Sequence, residues 1–176
     1  MNAGELQAAL ESGEADLAVG PLPDAWPHPV HLLGTEEFVI VLPPGDPSDL
    51  NPAARVPFSA LRDREWVRLA PRNGLARFLD EGCAAAGFRP STAIFTEQSA
   101  AAPLLTLSGL GPALIPANML PPYFPGRVFL PDPPIRRTLA AYSYGRPDAV
   151  ATAFIEKLVA GAHIMPPGLV EAFPRC

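Results

Sequence analysis

The chain has 176 residues, 48% of them hydrophobic, which is enough to bury a core as one domain or as two small subdomains. Its net charge is −5, with 12 arginines, a single lysine (Lys157) and no dense basic run, so direct binding to a phosphate backbone is not expected. Cys83 and Cys176 are isolated and no Cys/His spacing suits a metal, the first twenty residues lack the basic start and apolar core of a secretory leader, and no apolar run approaches a membrane span; a reduced, cytoplasmic chain with no metal, cofactor or membrane contact is predicted.

Residues 4–10 carry helix formers with Leu6, Ala9 and Leu10 on one face, and Gly13 is a plausible stop. Residues 16–20 read as an apolar strand that Pro21 ends. Phe38-Val39-Ile40-Val41-Leu42 is a continuous β-prone run bounded by Pro43-Pro44-Gly45, as expected of a buried strand, and 43–57 is a Pro-rich crossover. Residues 65–69 alternate around Trp66 as a strand does, the polar loop 70–74 follows, and Leu75, Phe78, Leu79, Gly82, Cys83 and Ala86 lie at helical spacing up to Gly87. A short strand is predicted over 92–96. The following helix places Ala101, Leu104, Leu105 and Leu107 on one face and ends near Ser108, where Gly109-Leu110-Gly111 supplies a left-handed residue. Ala113-Leu114-Ile115, closed by Pro116, suits a short strand buried on both faces. Val128-Phe129-Leu130, a Pro-rich return at 131–136, a strand over 138–144 and a helix over 149–159 with Phe154, Ile155 and Leu158 on one stripe complete the pattern; 164–176 shows no clear element. The 24 prolines fall at segment ends, which points to stiff loops rather than a disordered linker.

Three stretches carry a family resemblance. Leu107-Ser108-Gly109-Leu110-Gly111-Pro112-Ala113-Leu114-Ile115-Pro116 resembles the V-x-x-G-x-G-x-x-x-x-P segment in the effector-binding domain of LysR-type transcriptional regulators. Leu10, Gly13, Asp16, Leu17, Ala18, Val19 and Gly20 match its L-x-x-G-x-x-D-L-A-V-G step, and 36–47 resembles its E-x-x-V-x-V-x-P-x-x-H-P strand, with Asp46-Pro47 in place of His-Pro, a departure expected to affect only the loop. The resemblance runs from Gly4 to about Ala160. It implies an α/β, two-subdomain, periplasmic-binding-protein-like (type 2) fold: residues 1–43 plus 135–163 as a first regulatory subdomain, 56–131 as a second, and 164–176 as a tail. It also implies a late start. The winged helix-turn-helix of such regulators, and the opening strand, helix and strand of their first subdomain, have no counterpart here, so the first subdomain is expected to be incomplete and the chain to associate with itself as a homo-oligomer.

Ligands of open α/β sheets sit beyond the carboxyl ends of parallel strands, where helix N-termini leave N–H groups free. Three such places are Gly20-Pro21-Leu22, Pro71-Arg72-Asn73-Gly74 and Glu97-Gln98-Ser99. Arg72 either pairs with an effector carboxylate or is a solvated loop arginine, and the N–H groups of Asn73, Gly74 and Leu75 offer an anion site at the start of their helix. Ser99 is first of all a helix N-cap. Glu97 is an odd neighbour for an anion, so it points away or the effector carries a donor. Catalysis has little to stand on: Cys83 lies on an apolar stripe, His28, His31 and His163 are not paired, and no G-x-S-x-G or phosphate loop is present. Two classes follow. One is a small-molecule-sensing domain that reaches DNA only through a winged helix this chain lacks; the other is a stand-alone solute-binding protein or an enzyme on the same scaffold.

Overall fold

The computed structural model describes residues 3–162 apart from 24, 52 and 122, so the expectations for His163, the 164–176 tail and Cys176 fall outside the described residues. The described residues divide into two units, one made of those up to Glu36 together with residues 136–162, the other of Glu37–Ile135. From the sequence, the first subdomain is expected to end at residue 43. The division falls earlier because β2 (Val30–Leu42) is one long strand, and its residues from Phe38 on pair with the second unit.

In the first unit, α1 (Ala3–Glu11) is followed by β1 (Ala18–Pro21), which pairs antiparallel with β9 (Arg136–Tyr142), and β9 in turn lies beside β2. Ala18 stands opposite Tyr142, and Gly20 opposite Ala140. Leu6 of α1 packs so closely on Gly20 that a Cβ there would come within 2.6 Å of its Cδ1. Among the described residues, the core of this unit is the small cluster Leu10, Ala18, Ala140 and Tyr142, with Leu6, Ala15, Trp26 and Val30 against it. α4 (Ala149–Gly161) begins at Asp148, whose carboxylate accepts from the Ala151 amide at 2.7 Å as an N-cap does. Its expected stripe holds only in part: Ile155 is buried, whereas Phe154 is 53% exposed.

The second unit is built on the last part of β2. β6 (Ala113–Pro116) pairs with one of its edges, Val39 facing Ile115, and β7 (Arg127–Phe129) with the other, Ile40 facing Phe129; both are antiparallel. All four residues of β6 are buried, as a strand covered on both faces requires. β3 (Val56–Pro57) and β8 (Pro131–Asp132) form a second, parallel pair, and β4 (Glu65–Leu69) with β5 (Ser91–Thr96) a third, joined through α2 (Ala76–Ala85). Phe38, Ile40, Leu42, Phe58, Trp66, Ile115 and Phe129 are fully buried in one cluster; burying each contributes about 1.5–3 kcal/mol.

α3 (Ala102–Leu107) ends as expected, with the Gly109 amide donating back to Thr106 and that of Leu110 to Leu105. Its buried face is the expected one only in part, with Leu105 packed against the core. Ala102, Pro103 and Thr106 point inward, while Leu104 is 53% exposed, because the small Ala and Thr side chains let the short helix lie close to β4. The Asp46-Pro47 departure also reaches further than its loop. Asp46 pairs with Arg64, and the Arg127 guanidinium collects the carbonyls of Asp46 (3.1 Å), Ser48 (2.7 Å) and Leu50 (2.9 Å), so residues 46–50 of the Pro-rich connection are tied down.

Candidate functional site

β4 and β5 run parallel, and two of the expected loops, 70–75 and 97–99, leave their carboxyl ends together. The Ala70 amide donates to Thr96 at 2.9 Å and continues the ladder one step past β4. Asn73 then joins the loops. Its Nδ2 donates to the Glu97 carbonyl (3.2 Å) and to Ser99 Oγ (3.1 Å), and its Oδ1 accepts from the Leu75 amide at 3.0 Å. Asparagine suits the position because its amide carries both donor and acceptor, so one side chain caps the turn into α2 and holds the neighbouring loop.

This knitting changes the donor inventory. The Asn73 amide is taken by Ala70 at 2.8 Å and that of Leu75 by the Asn73 side chain, so of the three N–H groups expected to hold an anion only that of Gly74 is left unbonded among the described residues. Ser99 is not an N-cap either: neither the 3-10 turn Ser99–Ala101 nor α3 receives a side-chain cap, and the Ser99 hydroxyl accepts from Asn73 instead. Thr96 performs the local closure that was expected of Ser99, its Oγ1 accepting from the Gln98 amide at 3.2 Å.

Arg72 forms an ion pair with Glu97 across the two loops, the side chains keeping 75% and 61% of their exposure. The hydrogen bond and the charge of Glu97 hold the guanidinium protonated still more firmly than usual. Glu97 therefore does not point away. Pro71, Gly74 and Gln98 are exposed beside the pair. The neighbouring arginines are engaged as well, Arg68 with Asp80 and Arg77 with Glu81, while Arg68 also reaches Thr92 Oγ1 at 3.1 Å and lies 5.2 Å from the Phe95 ring.

The third expected segment lies in the first unit. Gly20 and Pro21 end β1 in antiparallel pairing with Ala140 and Leu139, and the Leu22 amide donates to Thr138 at 2.8 Å. Proline has no N–H and that of Leu22 is spent, so Pro21 and Leu22 present carbonyl and apolar groups rather than anion donors; Leu22 is 39% exposed.

Cys83 is fully buried, and burial, then the charge of Asp80, pushes its thiol up to about 12 against the smaller opposing effect of Arg68, far from the range of a nucleophile. His28 packs against Tyr144, with ring centroids 4.3 Å apart, and against Trp26 at 5.2 Å. His31 lines a groove of about 460 Å³ beside α4 with Ile155, Glu156 and Val159. Among the described residues no group of three His, Cys, Asp or Glu is placed to hold a metal ion, and no helix is long and apolar enough to cross a membrane.

The family model described as the LysR substrate binding domain matches residues 1–162. Among curated protein sequences none matches. Similar solved structures include the C-terminal domain of a probable LysR family transcriptional regulator from Rhodococcus sp. RHA1, at TM-score 0.75 and 23% identity over 90% of this chain and 80% of that one. The CcmR regulatory domain of Synechocystis PCC6803 in complex with 2-PG is similar at TM-score 0.77 and 14% identity, over 94% and 82% of the two chains. The BenM effector binding domain with its effector benzoate is similar at TM-score 0.72 and 16% identity, over 100% and 79%. The chain spans 58% of BenM in its full-length structure. At these identities the structures share the fold, a type 2 periplasmic-binding-protein-like one.

Proposed function

Because the chain belongs to the LysR substrate-binding domain family, we propose that the 70–75 and 97–99 loops of its second unit receive a small organic effector bearing a carboxylate. The chain is the effector-sensing domain of a LysR-type transcriptional regulator. The observation that carries the site is the Asn73 tie: two loops at the ends of parallel strands are locked to one another while Arg72, Gly74 and Gln98 stay exposed beside the lock. That is the place where an open α/β sheet offers a ligand backbone donors and loop side chains. Benzoate, the effector of the BenM domain, is itself a carboxylate.

The rest of the proposal concerns how such a domain works. Effector binding stabilises one arrangement of the protein over another, by no more than the difference in its affinity for the two. The regulator acts as a homo-oligomer in the cytoplasm and is a sensor rather than an enzyme. This chain, at net charge −5, does not retain duplex DNA by itself. Calorimetry with small carboxylates on the wild type and on Arg72→Ala tests the site. We expect the substitution to weaken binding about tenfold or more, as the loss of a charge-assisted hydrogen bond does. Equal affinities would remove Arg72 from it.

A further inference from the structure

We propose that the effector is a zwitterion, an amino acid or a compound with the same two groups, whose carboxylate pairs with Arg72 while its ammonium pairs with Glu97. This deepens the reading above and rests on it. The argument begins with charge. Arg68, Arg72 and Arg77 are the arginines on β4, in the 70–75 loop and on the first turn of α2, and each has a carboxylate partner: Asp80, Glu97 and Glu81. The six charges cancel. A simple carboxylate that took Arg72 would displace Glu97 and leave two negative groups around one guanidinium. A zwitterion exchanges one ion pair for two and leaves the balance at zero.

The geometry suits such an exchange. The Arg72–Glu97 pair is exposed at both ends, so it contributes little stability and opens at little cost. The backbone beneath it is held. The Glu97 carbonyl accepts from Asn73, and Asn73 is fixed in turn by Leu75 and Ser99, so the two side chains can swing apart without the loops separating. The Gly74 N–H, unbonded among the described residues and carried by an exposed residue next to Arg72, offers the carboxylate a second donor. Guanidinium and carboxylate thus stand on two loops whose spacing is set, a recognition element for one positive and one negative group on the same small molecule.

The test is a titration of the 176-residue chain, followed by nuclear magnetic resonance at Gly74 N–H and Arg72 Nε, with the neutral L-amino acids, the corresponding acids without the amino group, and the corresponding amines without the carboxylate. The expected result is that at least one amino acid binds tenfold or more tighter than both of its single-group counterparts, and that Glu97→Gln removes that advantage while leaving affinity for the acid equal or higher. Two results would overturn the proposal: acids that match their amino acids throughout the panel in the wild type, or a Glu97→Gln variant that keeps the advantage. If the acids bind as tightly as their amino acids and Arg72→Ala abolishes their shifts at Gly74 N–H, the site stands and only the zwitterion falls. If no member of the panel moves them, both fall.

Discussion

The Glu36 carboxylate accepts a hydrogen bond from Arg137 Nε, joining the neighbouring strands β2 and β9 within the first unit. Glu36 is 1% exposed and Arg137 19%, and Glu36 Oε2 has no partner among the described residues. A carboxylate buried to this depth depends on its counter-ion, because taking a charge out of water costs several kcal/mol and Arg137 offsets part of that cost. Arg137→Met strands that charge and should destabilise the protein by about 3 kcal/mol, whereas the double substitution Glu36→Leu with Arg137→Leu should lie near the wild type. Urea unfolding of both variants reads the difference. A single variant that costs under about 1 kcal/mol would mean that water reaches Glu36.

Acid should loosen the second unit through Asp46. Burial pushes this carboxyl up, but hydrogen bonds from the Arg64 guanidinium and from the Ser48 hydroxyl and amide outweigh it and bring it from 3.8 to about 2. A folded value below the unfolded one means that the stabilisation is fully present above about pH 4 and is lost as pH falls from there towards 2. It is on the order of 1–2 kcal/mol, allowing for the partial exposure of Arg64. Asp46→Asn should therefore be less stable at pH 6 and flatter in its stability between pH 4 and 2. If wild type and variant lose stability in parallel over that range, another carboxylate governs the acid response.

What the sequence made legible was whatever local periodicity encodes. The helices α1, α2 and α4, the strand ends at Pro21 and Pro116 and the stop at Gly109 all follow from apolar spacing and from Gly or Pro. The first half of β2 did not, since His31, Gly34, Thr35 and Glu36 interrupt any apolar run and only pairing with β9 makes them a strand. β3 and β8 are two residues each and exist through one another, far apart in the chain. At the candidate site, the loops could be located but their wiring could not. That Asn73 would spend its donors on Glu97 and Ser99, or that Glu97 would meet Arg72, depends on how β4 and β5 align. No local pattern in either loop records that alignment.

Gly109 and Gly111 occupy the same turn for different reasons, and substitution should separate them. Both have positive φ, +86° and +119°. Nothing lies within 4 Å of a Cβ added at Gly109, so Gly109→Ala should cost only the left-handed penalty of about 1–2 kcal/mol. At Gly111 the added Cβ would stand 1.9 Å from the Glu65 carbonyl oxygen, where the turn passes the start of β4. Backbone would have to move there, and the following Pro112 carbonyl, which accepts from the Val67 amide at 2.9 Å, would move with it. Gly111→Ala should therefore cost about 3 kcal/mol or more, or prevent folding. Comparable thermal midpoints for the two variants would show that the turn can shift away from β4.

The last prediction separates the two tasks assigned to Asn73. Its Oδ1 satisfies the Leu75 amide at the entry to α2, and its Nδ2 holds the 97–99 loop through Glu97 and Ser99. Asn73→Ala removes both and should cost about 1–2 kcal/mol, the range for a lost helix-start acceptor and a net hydrogen bond together. Ser99→Ala removes only one acceptor of Nδ2, which keeps its bond to the Glu97 carbonyl, and should cost well under 1 kcal/mol. Binding should follow the tie rather than the charge. Asn73→Ala leaves Arg72 and Glu97 in place but frees their loops from each other, so affinity for a carboxylate probe should fall several-fold in Asn73→Ala and little in Ser99→Ala. Unfolding and calorimetry on the two variants give both quantities. If Asn73→Ala loses stability yet binds as well as the wild type, Asn73 serves only the helix, and the coupling of the loops has no part in recognition.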